Sequence, residues 1–172
     1  CATTGLLNKL NRTELEGVMA HELSHIKNYD TRLMTLVSVL VGSLSILINS
    51  ATRYSFFSRN NRDNDRQGSG LLSIIGFGLI IFASIIAQLI QLAISRRREF
   101  LADASAVKLT RQPKGLINAL IKISSDPNQM QTASTATASL YINNPFKNNK
   151  LASLFSTHPP IEDRIKALSQ ML

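Results

Sequence analysis

Residues 17–30 read GVMAHELSHIKNYD. His21 and His25 stand four apart, so on an α-helix they lie one turn apart on the same face. Both imidazoles can then reach one ion at about 2.0–2.1 Å, the Zn–N distance. Glu22 points about 100° round the helix from His21. It flanks such an ion without ligating it, which suits a general base for a water that the metal activates. The helix is signalled by Asn11, with Glu14 three residues later at capping-box spacing, and Leu15, Val18, Met19 and Leu23 are expected to form its apolar face. A short H-E-x-x-H pattern also arises by chance on solvent-exposed helices. Here, however, the chain has three histidines and two of them fall in the pattern.

A third protein ligand is needed. One layout places a histidine six residues after His25 with a glycine three residues after it; those positions hold Thr31 and Asn28. Another uses an acid on a later helix. Asp30 is read as too near the end of the same helix to fold back, and as the cap of the helix that follows. Asp63 and Asp65 sit in an Arg-rich polar loop. Glu99 and Asp103, in RRREFLADASA, are four apart and share one helical face, with Phe100, Leu101 and Ala104 able to pack beside it. One of the two can ligate zinc while the other holds a ligand histidine by its second nitrogen.

Between the half-sites lie two apolar runs, Leu33–Asn49 and Leu71–Ile94. About 20 apolar residues suffice to cross a bilayer. The second run has no charge; the first reaches the same class when extended to Ala51. Transmembrane segments are therefore expected at 33–51 and 71–94, with a polar loop at 52–70. The competing reading is a pair of buried core helices. Two crossings return the chain to the side it left, so Glu99 arrives where His21 and His25 are, as a shared metal requires.

HELSHIKNYD, the paired apolar segments, RRREFLADASA and STHPPIEDRI together resemble the HtpX-type membrane zinc metalloproteases, which are related to the CAAX prenyl endoproteases. The resemblance covers nearly the whole chain. It implies a mainly α, zincin-like metalloprotease domain over residues 1–172, with two transmembrane helices inserted between the zinc-ligand helices. It implies one Zn2+ per chain held by His21, His25 and Glu99, Glu22 as catalytic base, and Asp103 as the partner that orients a ligand histidine. It further implies peptide or membrane-protein substrates, a role in stress response and protein quality control, and a multi-pass place in the bacterial inner membrane with the active site facing the cytoplasm. Full-length members carry further spans ahead of the protease domain, so a chain that starts at Cys1 without an initiator Met reads as a fragment lacking them. CATTGLL is expected to form a short strand; by the resemblance, such an edge strand would pair with extended substrate.

The 172 residues carry a net charge of +8 with 6% aromatics. The basic residues are scattered, so an anionic lipid surface suits them better than nucleic acid. Lys27, Arg32, Arg96, Arg97 and Arg98 flank the spans on the catalytic side, which favours a cytoplasmic site, although Arg53, Arg59, Arg62 and Arg66 in the loop blunt the contrast. The single cysteine excludes an intrachain disulfide framework. A membrane-anchored zinc-binding scaffold without proteolysis is the rival reading; the retained Glu22 argues against it, because a structural site needs no base.

The remainder reads as helical. Leu116, Ile117, Leu120, Ile121 and Ile123 recur at helical spacing after Pro113, and Ile161, Ile165, Leu168 and Leu172 do so near the other end. Met130–Phe155 has little periodicity and reads as a mobile connection. Three roles are open for His158: a donor to the developing oxyanion, a zinc ligand in place of Glu99, or a structural hydrogen bond that fastens the last helix. Asn28 either contacts a substrate carbonyl or caps its helix. Arg164 is expected in a buried salt bridge under the site.

Overall fold

The computed structural model describes residues 2–59, 69–125 and 158–172, and its regular structure is helical. In chain order the helices are α1 (Thr4–Lys9), α2 (Arg12–Lys27), α3 (Asp30–Arg59), α4 (Ser69–Thr110), α5 (Pro113–Ser124) and α6 (Ile161–Ser169). The described residues form two compact units. One takes the chain up to Thr31 and again from Ile94; the other is Arg32–Ala93.

In the first unit the N-terminal segment is a helix where a strand was expected. The Thr3 side chain accepts from the Leu6 N–H at 3.2 Å and so caps α1. No other strand exists among the described residues, so an extended CATTGLL would leave its backbone groups without a ladder partner. The capping box of α2 forms as expected: Asn11 Oδ1 accepts from Glu14 N–H, and Glu14 Oε2 accepts from Asn11 N–H, each at 2.9 Å. Lys122 of α5 also reaches Glu14 Oε2 at 2.8 Å and, chiefly through that bond, holds the carboxyl below its ordinary pKa.

The buried face of α2 differs from the expected one. Val18 is buried, but Met19 and Leu23 are 47% and 53% exposed, and the buried positions are instead Gly17, Ala20, His21 and Ser24. Small residues allow α5 to approach closely. A Cβ on Gly17 would come within 2.8 Å of the Leu116 backbone nitrogen, and one on Gly115 within 2.7 Å of the Thr13 carbonyl. Leu116 and Leu120 of α5, Ala106 of α4 and Leu168 of α6 complete the apolar core with Val18. Leu172, expected on the packed face, is exposed beyond the end of α6.

The glycine contact gives a direct test. Gly17→Val inserts a branched side chain against backbone that has no rotamer to change, and overpacking of this kind costs about 1–3 kcal/mol. The thermal midpoint should fall by several degrees in a circular-dichroism melt. Gly5→Val, at a position with open space around it, is the comparison. Equal midpoints would mean that α2 and α5 separate without cost.

In the second unit, α3 and α4 are both long and apolar enough to cross a membrane. None of the residues in the apolar window of α3 is buried, and 6% of those in the window of α4 are. Leu36, Val39, Leu40, Leu44, Ile85 and Leu89 are among the exposed ones. Helices of a soluble core would have these residues packed. Their hydroxyls bond within the helix, as Ser43 Oγ does to Val39 O at 2.8 Å, and Gln91 Nε2 reaches Ser38 Oγ across the pair at 3.1 Å. This is how polar groups are satisfied where water is absent. The helices outrun the apolar segments. α3 continues to Arg59 and α4 begins at Ser69, so residues 52–59 of the expected loop 52–70 are helical, because adding residues to an existing helix needs no new nucleus. The Met130–Phe155 connection lies outside the described residues.

Candidate metal centre

Two helices supply the cluster. His21 and His25 project from α2 and Glu99 from α4; one potential ligand atom from each lies within 4.8 Å of the other two. His21 and Glu99 are buried and His25 is partly so. The two Nε2 atoms face one another at 3.2 Å. Glu99 Oε1 is 3.5 Å from His25 Nε2, and Glu99 Oε2 is 3.7 Å from His21 Nε2.

The other ring nitrogens explain this arrangement. His25 Nδ1 is 2.6 Å from Asp30 Oδ2, and His21 Nδ1 is 2.9 Å from Asp103 Oδ1. A carboxylate at Nδ1 places the proton there and leaves the Nε2 lone pair free. Two Nε2 lone pairs and a carboxylate then converge with no proton to share, an arrangement that a cation relieves. Two atoms bound tetrahedrally at about 2.0–2.1 Å sit about 3.3–3.4 Å apart, which matches the spacing found. The donor set therefore fits a divalent metal of the zinc class.

Beneath the cluster lies Arg164 of α6, wholly buried, as its salt-bridge reading anticipated. Its Nε and Nη2 donate to the two oxygens of Asp103 at 2.8 and 2.7 Å, and its Nη1 is 3.4 Å from Glu99 Oε2. Burial alone would raise the Asp103 carboxyl, but Arg164 and then His21 outweigh it and hold the group below its ordinary pKa. Glu99 is likewise lowered against its burial, first by His158 and then by Arg164 and His21. Burial opposes the charge on Arg164 too, yet Asp103 and Glu99 raise its pKa further.

The remaining expected residues fall as follows. Glu22 is exposed beside the cluster and outside its three donors. His158 has Nδ1 3.0 Å from Glu99 Oε2. Asn28 ends α2, and its amide donates to Ser105 Oγ of α4 at 3.2 Å.

Asp30 corrects the expectation that it could not fold back. Tyr29 adopts φ 56°, a left-handed turn that ends α2 and brings the first residue of α3 under His25. Arg98 pairs with Asp30 and also donates from Nη2 to the Asn28 carbonyl at 2.7 Å, so one of the cations read as flanking the membrane serves the interior of the site. The signal for both was an acid just past the second histidine and a base just before Glu99. Neither pattern alone distinguishes a site residue from a helix-end charge.

The sequence profile described as Peptidase family M48 matches residues 1–172. The chain belongs to peptidase family M48. This M48 chain is similar to a protein named Protease HtpX homolog from Dictyoglomus turgidum, 50% identical over 169 residues, covering 98% of this chain and 55% of that protein. Proteins of the same name are 51% identical in Ligilactobacillus salivarius and 48% in Streptococcus equi, each covering 99% of this chain and 58% and 59% of theirs. The M48 chain thus spans a little over half the length of these relatives. No solved structure matches it significantly.

Proposed function

We propose that this chain is the catalytic part of a membrane zinc endopeptidase, a single domain over 1–172 with spans at 33–51 and 71–94. One Zn2+ is held by His21, His25 and Glu99. The observation that carries this reading is the meeting of those three donors from helices far apart in sequence, with an exposed Glu22 beside them. Zinc, when bound there, lowers the pKa of a water and polarises the scissile carbonyl. Glu22 accepts the proton of the attacking water and passes it to the leaving amine, releasing two peptides without a covalent enzyme intermediate. Asp103, fixed by Arg164, holds the His21 ring. His158 supports Glu99 and turnover, and Asn28 ties α2 to α4 through Ser105.

The exposed apolar faces on α3 and α4, with the motif resemblance to HtpX-type proteases, support substrates that are membrane proteins or their segments beside the bilayer. The motif resemblance to HtpX-type proteases and the basic flanks are the support for a multi-pass place in the inner membrane, a cytoplasmic site and a quality-control role. Nothing favours a zinc scaffold without proteolysis.

Metal analysis after equal dialysis tests the ligand set. The parent chain should hold one zinc, Glu99→Ala should lose most of it, and His158→Ala should stay near the parent value while turning over more slowly. Asp103→Ala should weaken binding about 10–100-fold, as loss of a partner to a ligand histidine commonly does. Retention by Glu99→Ala with loss by His158→Ala would mean that the third ligand is His158 and not Glu99.

A further inference from the structure

We propose that Asp30 and Arg98 form a second positioning device of the metal centre, which sets the His25 ring and ties the α2–α3 turn to the helix that carries Glu99. The proposal rests on the zinc reading above, and extends it to residues that the H-E-x-x-H and E-x-x-x-D patterns do not contain.

Four observations converge on it. Asp30 Oδ2 lies 2.6 Å from His25 Nδ1. Asp30 is 5% exposed, so its charge is removed from water and needs a partner. Arg98 supplies that partner, and bonds the Asn28 carbonyl, which is 70 residues away in sequence, at 2.7 Å. Tyr29, between Asn28 and Asp30, sits in the left-handed region at φ 56°. That conformation is unfavourable for a non-glycine residue and persists only where its surroundings hold it.

Together these make a chain of contacts: Arg98 fixes Asp30, Asp30 fixes the Nδ1 proton of His25, and His25 Nε2 is left facing His21 Nε2 at 3.2 Å. It parallels the Arg164–Asp103–His21 chain on the other histidine. The two differ in what they join. Arg164 brings in α6, whereas Arg98 precedes Glu99 by one residue in α4. The geometry of the two ligands His25 and Glu99 is therefore fixed through one guanidinium–carboxylate pair.

The test is zinc affinity by chelator competition on the full chain in detergent, with Asp30→Asn and Arg98→Met. The visible spectrum of the Co2+-loaded proteins reports ligand geometry. Asp30→Asn should bind Zn2+ about 10–100-fold more weakly and change the Co2+ bands. Arg98→Met, which breaks the same pair but leaves Asp30 beside His25, should lose less affinity. Asp30→Glu, which keeps the charge, should recover part of the loss. If the pair were only a staple, both single variants would lose affinity equally, and that result overturns the proposal. So does an Asp30→Asn protein that binds Zn2+ within about twofold of the parent with unchanged Co2+ bands. Should either variant fold too poorly to measure, Asp30→Glu against the parent decides by the Co2+ spectrum: shifted bands support the positioning role, and identical bands refute it. A parent chain that takes up no zinc removes the zinc reading itself, and this inference with it.

Discussion

Glu22→Gln is expected to keep its zinc and lose nearly all peptide hydrolysis. The side chain lies outside the three donors and is exposed next to them, so replacing its carboxylate by an isosteric amide removes a proton acceptor and no ligand. General base catalysis contributes about 10²–10⁴-fold, and the loss should appear in kcat with little change in KM, because a proton acceptor acts in the transition state. The measurement is cleavage of an unfolded protein substrate beside metal analysis of the same preparation. Parental turnover by a zinc-loaded variant would falsify the assignment. Loss of both zinc and turnover would instead make Glu22 part of the ligand set.

Arg164→Met should cost the fold about 3–5 kcal/mol, the usual result of removing one partner from a buried ion pair. The guanidinium is wholly buried and donates twice to Asp103, with Glu99 at 3.4 Å. Without it two buried carboxylates face one another with no fixed cation. The thermal midpoint in chelator should fall by roughly 6–20 °C, since each kcal/mol is worth roughly 2–4 °C in a domain of this size. Zinc should recover part of the loss, both by binding only the folded chain and by supplying positive charge. A midpoint unchanged in chelator would mean that water or another cation replaces the guanidinium.

Much of this arrangement was legible in the residues, and for identifiable reasons. The capping box at Asn11 and Glu14, the four-residue spacing of His21 and His25, and that of Glu99 and Asp103 are local, and helix geometry converts them directly into shared faces. The apolar runs were legible because lipid tolerates so few charges. What could not be read depends on partners far along the chain. Met19 and Leu23 resemble a buried face by composition, but the close approach of α5 to Gly17 decides which side of α2 is packed. Asp30 was misjudged because the reversal at Tyr29 is not encoded by a glycine, the residue that normally announces it. The strand expected at CATTGLL has no neighbouring strand among the described residues, a property that no local pattern displays.

The separation of His25 from Glu99 by the whole 32–93 unit also has a meaning in time. Chains are made from the N-terminus at about 5–20 residues per second, so the histidines precede the first acidic ligand by an interval on the order of several seconds. Throughout it α2 lacks Glu99, Asp103 and the α5 surface that its glycine fits. The three donors of the cluster are therefore brought together only after the 32–93 unit has been made.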